Sequence, residues 1–171
     1  MEAIELLKTR RSCRSFQNEQ IKDDELQIIL DCGLNAPSAK NKQDSIIVVV
    51  QDEKLVKDLS KLNAKIMGQD IDPFYGAPTV CLILVPEDNH NGNKDGALVI
   101  GAMQNGAYAL SIGSCWINRC KEMLELEEGK AYLKAWNLEG FVGVGCCVLG
   151  YPKDHLPKKQ IKEGRIIKVS C

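Results

Sequence analysis

A layered α/β or α+β domain is predicted by three observations. The chain contains apolar, β-branched runs of strand length, it places segments of helical periodicity between them, and its 171 residues suit one domain with little room for a second core. With 44% hydrophobic and 26% charged residues, 14 Gly and 6 Pro, the composition is that of a folded chain and excludes general disorder. Residues 1–171 are read as a single domain, with 150–171 as a C-terminal linker and strand.

The elements follow in order. Residues 2–9 place Ile4 and Leu7 at helical spacing and end in basic residues, which suit a helix C-terminus. Asp23 and Asp24 open a second helix, whose stripe of Leu26, Ile29 and Leu30 should stop near Asn35, ahead of Pro37. The run 45–50 (Ser-Ile-Ile-Val-Val-Val) reads as a central strand buried on both faces. Leu55, Leu59, Leu62 and Ile66 mark a third helix, 73–78 a loop, and 79–85 a second buried strand. The polar stretch 86–94 reads as a surface connector without chemistry. A helix from Asp95 to about Leu110 is dense in Gly and Ala, which suggests close backbone packing in the core or across a subunit interface. Amphipathic helical pieces span 122–137, a third strand 141–149, and 165–169 (Arg-Ile-Ile-Lys-Val) a fourth, able to pair within its own chain or with a neighbour.

Several function classes are excluded or disfavoured. Lys plus Arg number 22 against 23 acids, so a net charge of -1 gives no general attraction to a polyanion, and aromatic residues at 5% offer little for base stacking. No nucleic-acid partner is expected. The eight cysteines (13, 32, 81, 115, 120, 146, 147 and 171) form no CxxC pair, so no metal site is expected. Several lie in apolar runs where a thiol packs as a small hydrophobe, which fits a reducing cytoplasm. The stretch 97–117 is long enough to span a membrane, but Gln104, Asn105 and Ser111 interrupt it, so a buried helix is expected and no membrane partner. His90 and His155 lie in polar linkers and there is no Gly-x-Ser-x-Gly elbow, which argues against a His-based hydrolase. The glycines of Gly143-Val144-Gly145 sit inside a strand and lack the following helix that would hold a pyrophosphate.

Three segments carry chemistry. Arg10-Arg11-Ser12-Cys13-Arg14-Ser15-Phe16 concentrates guanidinium forks and hydroxyls as a phosphate monoester requires; a solvated helix end is the plainer reading of the charge alone. Ala36-Pro37-Ser38-Ala39-Lys40-Asn41-Lys42-Gln43 is a loop of short polar groups between helix and strand. In Ile112-Gly113-Ser114-Cys115-Trp116-Ile117-Asn118 a glycine permits close backbone approach beside a Trp.

Together these segments resemble the nitroreductase family of FMN-dependent enzymes. The first matches the family's Arg-Arg-Ser-x-Arg-x-Phe opening and the second its Ala-Pro-Ser-x-x-Asn-x-Gln loop. Phe74-Tyr75-Gly76-Ala77-Pro78, Gly113 to Ile117, and Gly150-Tyr151-Pro152 fall in the expected order. The resemblance implies an α+β chain with a three-layer α/β/α fold, a central mixed but mostly antiparallel sheet flanked by helices, and a C-terminal strand able to exchange with a partner subunit. It also implies a homodimer with FMN at the interface. Arg10 and Ser12 would bind the phosphate, with Arg11 beside them, and Arg14 would lie against the pyrimidine edge of the ring. Pro37, Ser38, Ala39, Asn41 and Gln43 would come from the partner, while the backbone of Trp116, Ile117 and Asn118 would line the ring near N5.

Two departures from the family pattern bear on the site. Asp44-Ser45 follows Gln43 where relatives often have Pro-Trp. The tail has Lys159-Gln160-Ile161 in place of a Lys-x-Arg pair, leaving Lys159, with Arg165 as a candidate substitute. The implied activity is hydride transfer from NADH or NADPH through flavin N5 to a small-molecule acceptor of the nitroaromatic or quinone class, by a ping-pong scheme and with no catalytic side chain. The alternative is an FMN-binding or thiol-based redox sensor without significant turnover, suggested by Cys115 beside the implied ring and Cys120 nearby.

Overall fold

A computed structural model describes residues 2–154, 156 and 159–169. The strongest sequence signal sits at its centre. Strand β2 (Thr79–Pro86) is buried along its first seven residues and pairs antiparallel with β4 (Phe141–Gly150). β1 (Ile46–Val50) and β3 (Gly113–Ile117) flank this pair, giving the order β1-β2-β4-β3 with every pairing antiparallel.

Helices cover both faces. Helix α3 (Glu53–Met67) and the short α5 (Cys120–Glu125) and α6 (Glu127–Ala135) bring Val56, Leu59, Leu62, Met123 and Leu133 onto the face formed by Leu82, Leu84, Cys146 and Val148. Helices α2 (Asp23–Leu34) and α4 (Gly92–Ala109) bring Ile29, Ile100 and Met103 onto the opposite face, formed by Cys81, Ile83, Cys147 and Leu149. The three-layer α/β/α arrangement follows from the alternation of β2 and β4 side chains between the two cores. Helix α1 (Ala3–Thr9) stands at the periphery with no buried residue.

Local chemistry sets the ends. Asp52 accepts the Leu55 N–H at 2.8 Å to open α3, and Gly68 closes it at φ 65, a conformation that suits glycine. At the start of α2 the Glu25 carboxylate reaches back to the Lys22 N–H (3.2 Å) and also accepts the Tyr151 hydroxyl, which ties the helix to the chain leaving β4. The register shift at Ile83/Leu84 is a β-bulge in β4 around Val144. The neighbouring glycines have packing roles. A Cβ on Gly143 would lie 2.7 Å from the Cys120 backbone, and one on Gly145 would lie 2.9 Å from the Trp116 ring. They are strand glycines, as the missing helix after them predicted.

Five expectations change. β1 is an edge strand and mostly half-buried, not a central strand covered on both faces. The sheet is purely antiparallel among the described residues, not mixed. Residues 165–169 form no strand and lie exposed, unpaired with any strand of the four-stranded sheet. The sheet's remaining strand is β3, formed by a segment where no strand was expected; its pairing with β4 is a long-range contact that local pattern does not reveal. Helix α4 also begins at Gly92 and not Asp95, so it takes in the end of the expected connector.

Gly129 offers a test of this packing. A Cβ there would fall 2.2 Å from the Met123 carbonyl oxygen, against backbone that cannot move aside. Gly129→Ala should lower stability in urea by at least ~2 kcal/mol, whereas Gly140→Ala, with nothing within 4 Å of the new methyl, should stay within ~1 kcal/mol of the parent.

Candidate functional site

The chain leaves α1 at Arg10 and runs extended beside the end of the sheet. Cys13 N–H donates to the Ser114 carbonyl (2.8 Å), Phe16 bridges to Pro152, and Gln17 N–H donates to the Tyr151 carbonyl (2.8 Å). Cys13 fits under Gly113, where a Cβ would come within 2.9 Å of the cysteine side chain. This ribbon gathers Arg10, Ser12 and Arg14 near Cys115 of β3, where each of the three favours the ionised form of that thiol. Arg10 Nη1 is buried with no hydrogen-bond partner among the described residues. A buried cationic donor left unpaired is unfavourable, so its geometry points to an anionic acceptor. Arg11 is turned elsewhere, with Nη1 donating to the carbonyls of Arg10 (2.6 Å) and Lys8 (3.3 Å) at the C-terminal end of α1.

The loop before β1 is separately built. Ala39 N–H donates to Asp95 Oδ1 (3.0 Å), Gln43 N–H to Ser38 Oγ (3.0 Å), and Gln43 Nε2 to Asn41 Oδ1 (2.8 Å). Lys40, Asn41 and Gln43 all adopt left-handed φ values of 52–56°, a strained backbone held by those bonds. Asp95 is buried, and its Oδ2 has no partner among the described residues. Pro37, Asn41 and Gln43 are exposed, while Ser38 and Ala39 are half-buried.

The third segment is the outer end of β3 and the connector beyond it. Trp116 covers Gly145, and its Nε1 donates to Asn118 Oδ1 (3.2 Å). Ile117 is buried. Asn118 is followed by Arg119 at φ 70, and both are tied to Asn63 of α3, a residue that sequence reasoning passed over. A hollow of about 380 Å³ opens here between Trp116, Asn118, Arg119 and Asn93.

The structure brings Arg10, Ser12 and Arg14 together but keeps the loop of Pro37, Ser38, Ala39, Asn41 and Gln43 apart from them. That loop hangs on Asp95 in the first turn of α4, whereas Cys13 meets Gly113 just beyond the last turn, a separation of roughly 21 Å along the helix at about 1.5 Å per residue. The loop also feeds β1, and Trp116 lies on β3, the opposite edge of the sheet. Lys159 and Arg165 lie exposed on the tail, away from this cluster's hydrogen bonds. A cavity of about 1290 Å³ beside α3, lined by Gln20, Gln51, Ser60 and Phe74 among others, includes none of the predicted residues. Among the described residues no His, Cys, Asp and Glu cluster could hold a metal, and no helix is long and apolar enough to cross a membrane.

The model of the nitroreductase family matches residues 7–79. A protein of Archaeoglobus fulgidus described as a putative NADH dehydrogenase/NAD(P)H nitroreductase is 31% identical over 158 residues, covering 90% of this chain and 87% of the relative. The chain belongs to the nitroreductase family. An FMN reductase [NAD(P)H] of Bacillus subtilis is 27% identical over 185 residues, covering 92% of this nitroreductase-family chain and 69% of the relative. Among solved structures, a nitroreductase with bound FMN from Bacteroides fragilis superposes with a TM-score of 0.91 at 28% identity, covering 99% of this chain and all of that one. An FMN-dependent nitroreductase from Clostridium difficile gives 0.84 at 29% identity, covering 98% and 99%.

Six of the seven cysteines among the described residues of this family member are buried. Seven cysteines are free among the described residues. Burial pushes Cys81 up to about 12, and it carries Cys147 well above the ordinary range. Cys146 is raised by its hydrogen bond with Cys120 and by burial. At Cys115 desolvation outweighs Arg14, Ser12 and Arg10, so the thiol stays neutral, and Cys13 is likewise raised by burial. A thiol-based switch needs an accessible thiolate, which this environment opposes. The folded state therefore retains protons that the unfolded chain releases above the ordinary thiol value of 9.0. Urea stability should hold up to about pH 9 and then fall, by as much as ~1.4 kcal/mol per pH unit for each buried thiol. A flat profile between about pH 8 and about pH 10 would contradict the assignment.

Proposed function

We propose that this protein is an FMN-dependent NAD(P)H oxidoreductase that works as a homodimer and reduces small nitroaromatic or quinone-type acceptors. The observation that carries the reading is the buried, unpartnered Arg10 Nη1 set beside Ser12 and Arg14. A phosphate monoester supplies the anionic oxygens that this donor lacks, and Ser12 adds a hydroxyl. The residues present therefore fit the coenzyme's tail.

Bound FMN supplies hydride acceptance and donation at N5, which explains why no side chain here needs to act as acid or base. Arg10 and Ser12 hold the phosphate, with Arg11 fixing the turn out of α1. Arg14, exposed at the edge of the cluster, places positive charge where the pyrimidine side of a reduced ring carries its negative charge. The backbone of Trp116, Ile117 and Asn118 borders the N5 side. Ser38, Ala39, Asn41 and the exposed Pro37 and Gln43 reach the ring from a second subunit, since their own chain keeps them at the far end of α4. The Asn41 amide offers a donor and an acceptor to the N3/O4 edge. Lys159 and Arg165 sit on a tail whose Ile161, Ile166, Ile167 and Val169 are 73–88% exposed, and the open edge of β1 offers such a segment from another copy a strand to pair with. One open site used in turn by donor and acceptor leads to ping-pong kinetics.

Purified protein should show flavin absorbance, or gain it on adding FMN, and should run as a dimer by native mass. It should then oxidise NADH or NADPH when a quinone is present. A colourless monomer that takes up no FMN rules the reading out. Arg10→Ala should raise the Kd for FMN by ~10- to 100-fold, as expected for a lost hydrogen bond to a charged group, while Lys94→Ala on the exposed side of α4 should leave it within about twofold.

A further inference from the structure

Asn63 is 0% exposed and stands on the α3 face shared by Val56, Leu59 and Ser60, a position where an apolar side chain would pack without any polar partner. Both ends of its amide are used. Nδ2 donates to the Asn118 carbonyl at 2.8 Å, and Oδ1 accepts from Arg119 Nε at 3.1 Å. These are the only two residues between β3 and α5, and Arg119 holds φ 70, which a non-glycine residue adopts only when its surroundings impose it. On its other side Asn118 is held by Trp116, whose ring nitrogen donates to Oδ1 at 3.2 Å.

We infer that Asn63 is a positioning residue for the flavin-facing edge: it fixes the plane of the peptide between Asn118 and Arg119 beside the site, and so sets how tightly and in what environment the ring is held. The inference rests on the function proposed above, which puts the backbone at 116–118 next to N5. A trans peptide points its C=O and N–H in opposite directions. With the Asn118 carbonyl drawn to Asn63, the Arg119 N–H faces away from α3. Without Asn63, nothing on α3 holds that carbonyl, and the strained Arg119 backbone can relax and rotate the peptide. Asn63 touches neither coenzyme nor substrate; it acts through the connector.

The test uses FMN-loaded protein and three substitutions: Asn63→Leu, which keeps volume and removes both bonds; Asn63→Asp, which keeps the acceptor for Arg119 and loses the donor to Asn118; and Arg119→Gly, which tolerates the left-handed turn without help. FMN Kd is read by fluorescence titration, together with the position of the bound flavin's absorbance maxima and the thermal midpoint of the flavin-free protein. Asn63→Leu and Asn63→Asp should each weaken FMN binding by about tenfold and shift the bound spectrum. Combining Asn63→Leu with Arg119→Gly should bring Kd back to within about threefold of Arg119→Gly alone, a rescue that a purely structural role does not predict. Should Asn63→Leu fail to fold, Asn63→Asp carries the comparison. Equal Kd and spectra in wild type and the Asn63 variants, or additive losses in the double variant, overturn the inference while leaving the proposed function standing. A wild-type protein that binds no FMN overturns both.

Discussion

The antiparallel ladder between β2 and β4 is the constraint on which everything else depends. Its side chains are buried on both faces, so each face requires a helical layer, and the chain supplies α3 with α5 and α6 on one and α2 with α4 on the other. A sheet so covered has chemistry only at its rims. The arginine ribbon runs past the end of β4 at Gly150 and beside β3, and the loop of Ser38 and Asn41 leads into β1. Both places have backbone and polar side chains free of the core, which is why the strongest chemical signals in the chain lie outside its strongest structural ones.

The same packing explains a composition that looks like redox chemistry. Three cysteines face glycines at contact distance: a Cβ on Gly106, Gly113 or Gly143 would lie 2.7–2.9 Å from the sulfur of Cys32, Cys13 or Cys120. Thiols here are side chains small and soft enough to fill the space a missing methyl leaves, and the two residue types specify each other. Cys13 is the case that touches the site, because seating it under Gly113 is what draws Arg10, Ser12 and Arg14 onto β3.

How much of this was legible follows from the range of each interaction. β2 and α3 were readable because an unbroken apolar run and a 3.6-residue stripe are local statements. The β-branched run of β1 looked the same as a central strand, since sequence records that a strand wants cover and not whether a helix or another copy provides it. β3 is too short and too dependent on β4 to announce itself. In the candidate site, charge and motif together singled out Arg10, Ser12 and Arg14, which the fold brings into one cluster, yet the rotation of Arg11 back onto α1 depends on where that helix's carbonyls end. Asn63 left a faint local signal, a polar amide among the buried positions Val56, Leu59 and Ser60; its partners at Asn118 and Arg119 are 55 and 56 residues away and could not be guessed.

Several features are each unfavourable in an isolated chain. Among the described residues Arg10 Nη1 and Asp95 Oδ2 are buried without partners, β1 leaves an open edge, and the tail holds Ile166, Ile167 and Val169 in water. The two halves of the predicted coenzyme site hang from opposite ends of one helix. The proposed second copy, with FMN between the two, would address the arginine, the edge and the tail together. A net charge of -1 puts almost no electrostatic barrier in its way. On this view α4 is the ruler of the proposed enzyme: its length keeps each subunit from completing its own site, and so makes the coenzyme and the partner a single requirement.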